Sequence, residues 1–166
     1  CASVYEVRKR VDHPIIGLTK GEHEDGTVCI TPSFVDAMSL VESGADYVAV
    51  DATGRSGYEH IKRMHEEGVK LIGDVSNFDQ AQSAIESGCG CLTTTLSGYT
   101  KDCGYSEEPD YKLLEELVST NIPILAEGRY WERSQVKKAF DLGAHAVVVG
   151  SAITRPHLIT ERLCVL

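Results

Sequence analysis

Phe140-Asp141-Leu142-Gly143-Ala144-His145-Ala146-Val147-Val148-Val149-Gly150-Ser151-Ala152 holds the reading that decides the fold. A helical stretch ends at a glycine suited to the left-handed C-cap, and a short buried strand follows at once. The strand then stops at a Gly-Ser-Ala turn that leads into another helix. The same unit recurs upstream. Val41-Glu42-Ser43-Gly44-Ala45-Asp46 and Ile85-Glu86-Ser87-Gly88-Cys89-Gly90 each precede an apolar run, and Glu66-Glu67-Gly68 does so with a shorter lead. Repeated βα units build a parallel sheet or a (β/α) barrel.

Six runs read as strands: Pro14–Thr19, Tyr47–Asp51, Lys70–Val75, Cys91–Leu96, Ile122–Glu127 and Ala146–Gly150. They are rich in Val, Ile and Leu without polar alternation, as strands covered on both faces are. Amphipathic stretches at Phe34–Ser43, Tyr58–Glu67, Asp79–Ser87, Tyr111–Thr120 and Arg133–Leu142 predict the helices between them. Thr31-Pro32-Ser33 and Glu108-Pro109-Asp110 read as helix starts. The residues up to Val11 are expected to be helical. A closed barrel of this type has eight strands and about 250 residues, and this chain has 166 and opens on Cys1. The expectation is one α/β domain over 1–166, a (β/α)8 TIM-barrel type truncated at its N-terminus to about six βα units. An open doubly wound sheet is the alternative, but no G-x-G-x-x-G follows any strand.

The formal net charge of −9 argues against nucleic-acid binding. Any anion site must then be locally positive. No apolar run approaches the ~20 residues of a membrane span, and no secretory signal is visible. The six cysteines are irregularly spaced without a CxxC, which predicts reduced thiols in a cytoplasmic protein. The six histidines show no HxH or HExxH pairing, so no metal site is expected.

In barrels, chemistry gathers at the C-terminal ends of the strands. Those ends carry Lys20, Asp51 with Arg55, Asp74, Thr94-Thr95-Leu96-Ser97-Gly98-Tyr99-Thr100, Glu127-Gly128-Arg129 and Gly150-Ser151. Lys20, at the end of an apolar strand, reads as a solvated charge or as a base or Schiff-base amine. Glu127 is a polar cap, an ion-pair partner or an acid, and Gly128 beside it lets a ligand approach the backbone. Asp51 and Asp74 either cap the next helix or touch substrate. Tyr99 either packs in its loop or reaches ligand oxygens. Tyr130 and Trp131 read as cover for the barrel mouth. Gly150, Ser151 and Arg155 form an anion cradle suited to a phosphate.

Together, Pro14-Ile15-Ile16-Gly17-Leu18-Thr19-Lys20, Ile30-Thr31-Pro32, Ala49-Val50-Asp51-Ala52-Thr53, Thr94–Thr100, Ala126-Glu127-Gly128-Arg129 and Gly143–Pro156 resemble the N-acetylmannosamine-6-phosphate 2-epimerase family, in order along the chain. The resemblance implies a TIM barrel that interconverts N-acetylmannosamine 6-phosphate and N-acetylglucosamine 6-phosphate in sialic acid catabolism, with no cofactor and no metal. It implies Lys20 as the catalytic lysine at C2 and Glu127 as its acidic partner. Asp74, Tyr99 and Arg129 fall on substrate-contacting positions, and Gly128, Gly150, Ser151 and Arg155 on the phosphate end. The family's first two βα units, with a Gln and an Arg of the site, have no counterpart here, and Gly21 follows Lys20 where many relatives carry a second basic residue. The alternatives are a Schiff-base aldolase built on Lys20, or an inactive fragment or phosphosugar-binding subunit. A homodimer would cover the edges of an open sheet.

Overall fold

The computed structural model describes residues 1–23, 25–100, 103–104 and 106–164. Its six-stranded sheet is parallel throughout and runs in sequence order. The members are β1 (Ile16–Gly17), β4 (Tyr47–Asp51), β5 (Leu71–Asp74), β6 (Cys91–Thr93), β7 (Ile124–Glu127) and β8 (Ala146–Val148). Each strand pairs with the next one in that list, with no crossover out of order. This is the arrangement of a curled barrel-type sheet. The strands of the sheet fall inside the six expected runs and are shorter by up to four residues.

One element departs from the expectation. Pro14–Thr19 is not a single strand that ends at Lys20. The sheet strand β1 stops at Gly17, and Lys20 opens a second strand, β2 (Lys20–Glu22), which pairs antiparallel with β3 (Val28–Ile30). The physical reason is local. Asp25-Gly26 is a tight-turn pair: Gly26 takes φ +77°, the Asp25 carboxylate accepts from the Thr27 amide, and the His23 amide reaches the Thr27 carbonyl at 2.8 Å. The hairpin is anchored at its base by Thr31, whose amide donates to the Thr19 carbonyl while its hydroxyl accepts from the Thr19 amide.

The helices match the expected stretches closely. After α1 (Ala2–Arg8) come α2 (Phe34–Glu42), α3 (Glu59–Glu66), α4 (Phe78–Glu86), α5 (Tyr111–Val118) and α6 (Arg133–Asp141). Side-chain oxygens of Ser33, Asn77 and Asp110 accept the third amide of α2, α4 and α5, which fixes where each begins. Gly44, Gly88 and Gly143 all turn near φ +100°, so the repeated helix-end glycine does what the pattern asks. The Gly-Ser-Ala turn opens a four-residue α7 (Ser151–Thr154), and α8 (Pro156–Cys164), which the pattern did not predict, follows it. Among the described residues, no helix is long and apolar enough to cross a membrane.

Period-two alternation sorts the strand residues onto two faces. Val48, Val50, Leu71, Leu92, Ile124, Ala126 and Val147 face the helices and pack with Leu40, Ile61, Met64, Leu114 and Leu117. Ala49, Ile72 and Leu125 face the other way and form a smaller inner cluster with Ile30 of the hairpin and Leu96. Tyr130 belongs to the helix-facing layer. It is buried and meets Tyr111 edge-on at 6.4 Å, so it is core and not cover for the barrel mouth. Leu114 has no exposed surface and ties α5 to the sheet. Leu114→Ala is expected to cost about 2–5 kcal/mol of unfolding free energy in a denaturant titration, the range for emptying a leucine site in a packed core.

Candidate active site

The alternation that buries Ala49, Ile72 and Leu125 on the inner face puts a polar residue two positions later on three strands. These are Asp51 on β4, Asp74 on β5 and Glu127 on β7, with Thr93 on the same face of β6. The ladder sets Asp51 directly opposite Asp74 and Asp74 opposite Thr93. Glu127 lies one step further toward the mouth, since Thr93 pairs with Leu125. The C-terminal ends of adjacent parallel strands thus bring three carboxyl groups onto one rim.

Neither aspartate caps a helix. Asp51 Oδ1 accepts from the Thr53 amide at 2.9 Å and the Thr53 hydroxyl at 2.6 Å, and Oδ2 lies 3.0 Å from His23 Nε2. Asp74 is essentially inaccessible, and Oδ1 accepts the Leu96 amide at 2.9 Å. Burial drives the Asp74 carboxyl well above the usual carboxylate range; the Leu96 amide opposes this, and the charges of Glu127 and Asp51 reinforce it. Glu127 is also raised, chiefly by burial, while a Thr95 hydrogen bond and the Lys20 charge pull it back down. The Thr95 hydroxyl thus lies within reach of both carboxyls, Asp74 and Glu127, with one proton to share between them. Thr93 joins it at 3.1 Å.

Lys20 is brought to this rim by the hairpin, not by the sheet. Its side chain is exposed and its charge acts on Glu127. Thr94 locks the neighbouring strand ends together: its hydroxyl donates to the Glu127 carbonyl at 2.8 Å and accepts the Glu127 amide at 3.0 Å. Gly128 follows at φ +103°, and a side chain there would meet only the Thr94 carbonyl, at 4.0 Å. The surface beside Glu127 is therefore open to a ligand.

Arg129 takes φ +65° and spans the mouth as a strut. Its Nη1 donates to the Ser97 carbonyl at 2.6 Å and its Nε to the Glu108 carbonyl at 2.8 Å. The guanidinium stands 5.7 Å from the ring centre of Tyr99, which is exposed. Two of the guanidinium nitrogens are thus occupied by backbone carbonyls. Because β7 pairs with β8, the Gly128 turn and the Gly150 turn are neighbours. Gly150 has open space in front of it, Ser151 is half-buried and Arg155 is exposed.

The fold also gathers residues that linear spacing did not connect. His23 at the end of β2, Cys29 on β3 and Asp51 on β4 offer donor atoms that lie within 4.8 Å of one another. Motif spacing finds ligand pairs on one helix or one loop, whereas these three converge from a hairpin and a sheet strand. All six cysteines are free thiols.

Asp74 is held above the usual carboxylate range in the folded chain, so its stabilising protonated form is fully present below that range. Its contribution is lost as pH rises through the raised folded value. Asp74→Asn keeps an acceptor for the Leu96 amide and removes the charge. At neutral pH the variant should melt higher than the wild type, each recovered 1 kcal/mol appearing as about 2–4 °C in a chain of this size. The gap should close as the pH of the melting experiment drops below 4.

A family model described as "Putative N-acetylmannosamine-6-phosphate epimerase" matches residues 1–165. A protein of Clostridioides difficile described as a 2-epimerase for that sugar phosphate is 43% identical over 96% of this chain and 74% of its own length. A Caldanaerobacter subterraneus protein with the same description is 42% identical over 96% of this chain and 71% of its own. The solved N-acetylmannosamine-6-phosphate 2-epimerase of Clostridium perfringens superposes with a TM-score of 0.88 at 36% identity, covering 96% of this chain and 73% of that one. A sheet in sequence order, a rim of acids at its strand ends and these matches agree: the chain belongs to the N-acetylmannosamine-6-phosphate 2-epimerase family.

Proposed function

We propose that this chain interconverts N-acetylmannosamine 6-phosphate and N-acetylglucosamine 6-phosphate by removing and returning the proton at C2. The single observation that carries the reading is that the hairpin brings Lys20 near enough for its charge to act on Glu127, at the end of a sheet strand far away in sequence. The proton at C2 of the open-chain sugar lies beside the C1 carbonyl, and its loss leaves an enolate. In the proposal the Lys20 amine takes that proton, and the ammonium so formed holds the developing negative charge. Return of a proton to the opposite face of C2 inverts the centre.

Glu127 is the acidic partner of Lys20 in this scheme. Its partly buried carboxyl, tuned upward by burial and downward by Thr95 and Lys20, is able to exchange a proton with a sugar oxygen or with the amine. In the proposal Asp74, Tyr99 and Arg129 take the substrate-contacting positions, of which Asp74 is almost fully covered by its neighbours, and Gly128, Gly150, Ser151 and Arg155 hold the phosphate. The open approaches to Gly128 and Gly150 support that end. Phosphate binding far from C2 supplies positioning energy for the reacting atoms. The proposal includes a cytoplasmic setting, supported by six free thiols. It also includes a homodimer, supported by the exposed Ile16, Leu18 and Val28 around β1 and the hairpin.

Incubation with N-acetylmannosamine 6-phosphate in heavy water tests the scheme. The wild-type chain should introduce deuterium at C2 and yield the gluco epimer. Lys20→Ala should lower the incorporation rate by about 10²–10⁴-fold, the usual worth of a positioned acid–base group. Unchanged incorporation in that variant removes Lys20 from the proton transfer.

A further inference from the structure

The hairpin that carries Lys20 ends against Asp51, and the contact has the composition of a metal-ligand set. Cys29 and Asp51 are almost wholly buried, and the His23 side chain is 12% exposed. The Cys29 sulfur lies within 4.8 Å of an oxygen of the Asp51 carboxylate. His23 Nε2 reaches Asp51 Oδ2 at 3.0 Å, and all three donor atoms lie within 4.8 Å of one another. Asp51 is also oriented from behind, since Thr53 occupies Oδ1 through its amide and hydroxyl and leaves Oδ2 turned to His23. An outer hydrogen bond of this kind fixes a ligating carboxylate.

A second observation points the same way. Arg55 donates through Nε to the Thr53 hydroxyl at 3.1 Å and through Nη1 to the Thr27 hydroxyl at 2.5 Å. Its Nη2 is buried with no hydrogen-bond partner, 4.0 Å from Asp51 Oδ2. A buried donor without an acceptor costs free energy, and the acceptor it lacks would sit beside the carboxylate. An oxygen in the fourth position of a tetrahedral ion bound by the three side chains meets that need. The thiolate and the carboxylate offset the charge of a dication, so the guanidinium nearby does not exclude it.

We propose that Cys29, His23 and Asp51 form a binding site for a divalent d-block cation, Zn²⁺ above all, with a water oxygen as the fourth ligand. The donor set is one sulfur, one imidazole nitrogen and one carboxylate oxygen. It suits zinc, with bonds of about 2.3, 2.0–2.1 and 2.0–2.2 Å, and it is the wrong set for magnesium or calcium, which take oxygen. On binding, the Cys29 thiol loses its proton to solvent and the sulfur bonds to the metal; nothing is oxidised or reduced. The ion would pin both strands of the hairpin to β4 and so fix the ledge on which Lys20 stands. This site does not depend on the epimerase reading.

Cobalt(II) titration of the chelator-treated full chain tests it. One equivalent should produce the near-ultraviolet band of a thiolate–cobalt bond, and zinc should abolish that band by displacement. Cys29→Ala should eliminate the band, and His23→Ala should weaken cobalt binding at least about tenfold, since even loss of an outer-shell partner costs about 10–100-fold. Cys103→Ala should leave both unchanged. If Cys29→Ala does not fold, as read by far-ultraviolet circular dichroism, His23→Ala decides alone, because its side chain lies at the solvent edge. Absence of the band in the wild-type chain, or full-strength binding by either His23→Ala or a folded Cys29→Ala, overturns the proposal.

Discussion

The pairing of β4 with β5 sets Asp51 directly across from Asp74, and much of the site follows from that one register. Two carboxyl groups at adjacent strand ends, one of them without solvent, cannot both carry charge cheaply. Burial and the neighbouring acids therefore hold Asp74 toward its protonated form, while Asp51 is met by the Thr53 amide and hydroxyl, by His23 and by Arg55. A one-residue slip would turn every inner residue of β5 toward the helices. It would carry Asp74 into the layer formed by Leu114 and Leu117. The apolar residues that fix the register thus also fix the charge pattern of the rim.

The hairpin answers a problem that the sheet creates. Asp51, Asp74 and Glu127 give the inner rim an excess of acid in a chain whose net charge is already −9, and an anionic sugar would meet repulsion there. A cation on the sheet itself would be pressed among the inner apolar side chains. Lys20 is carried instead on an antiparallel pair that leaves the sheet after Gly17, with its side chain exposed and its charge felt by Glu127. Thr31 accepts an uncommon φ of +46° at the base of that pair and is completely buried. The backbone strain is held by its two hydrogen bonds to Thr19.

The helices and the sheet were legible because their signals are local. Ser33, Asn77 and Asp110 cap helices within three residues, and the repeated Gly-X-X before β4, β5, β6 and β8 needs only a positive φ. The inner-face positions of Asp51, Asp74 and Glu127 also follow from alternation once the strands are placed. The hairpin is readable in part, since Asp25-Gly26 is a turn pair, but its strands are three residues each and the first carries Lys20, Gly21 and Glu22, so no apolar period marks it. Tyr130 reads as cover for the mouth beside Arg129 and Trp131, which are half-buried. Its own side chain turns inward to Tyr111, a residue nineteen positions earlier.

What the sequence could not convey is coupling between elements. Whether Glu127 is an ordinary surface acid or a tuned one depends on Thr95, two residues beyond a different strand, and on Lys20, more than a hundred positions away. Arg129 illustrates the same limit from the other side. The resemblance sets it on a substrate-contacting position, yet two of its nitrogens are committed to the Ser97 and Glu108 carbonyls. Those bonds fasten the loop after β6, with Tyr99 at its tip, to the end of β7. In the proposed function its part is then largely to hold that loop in place.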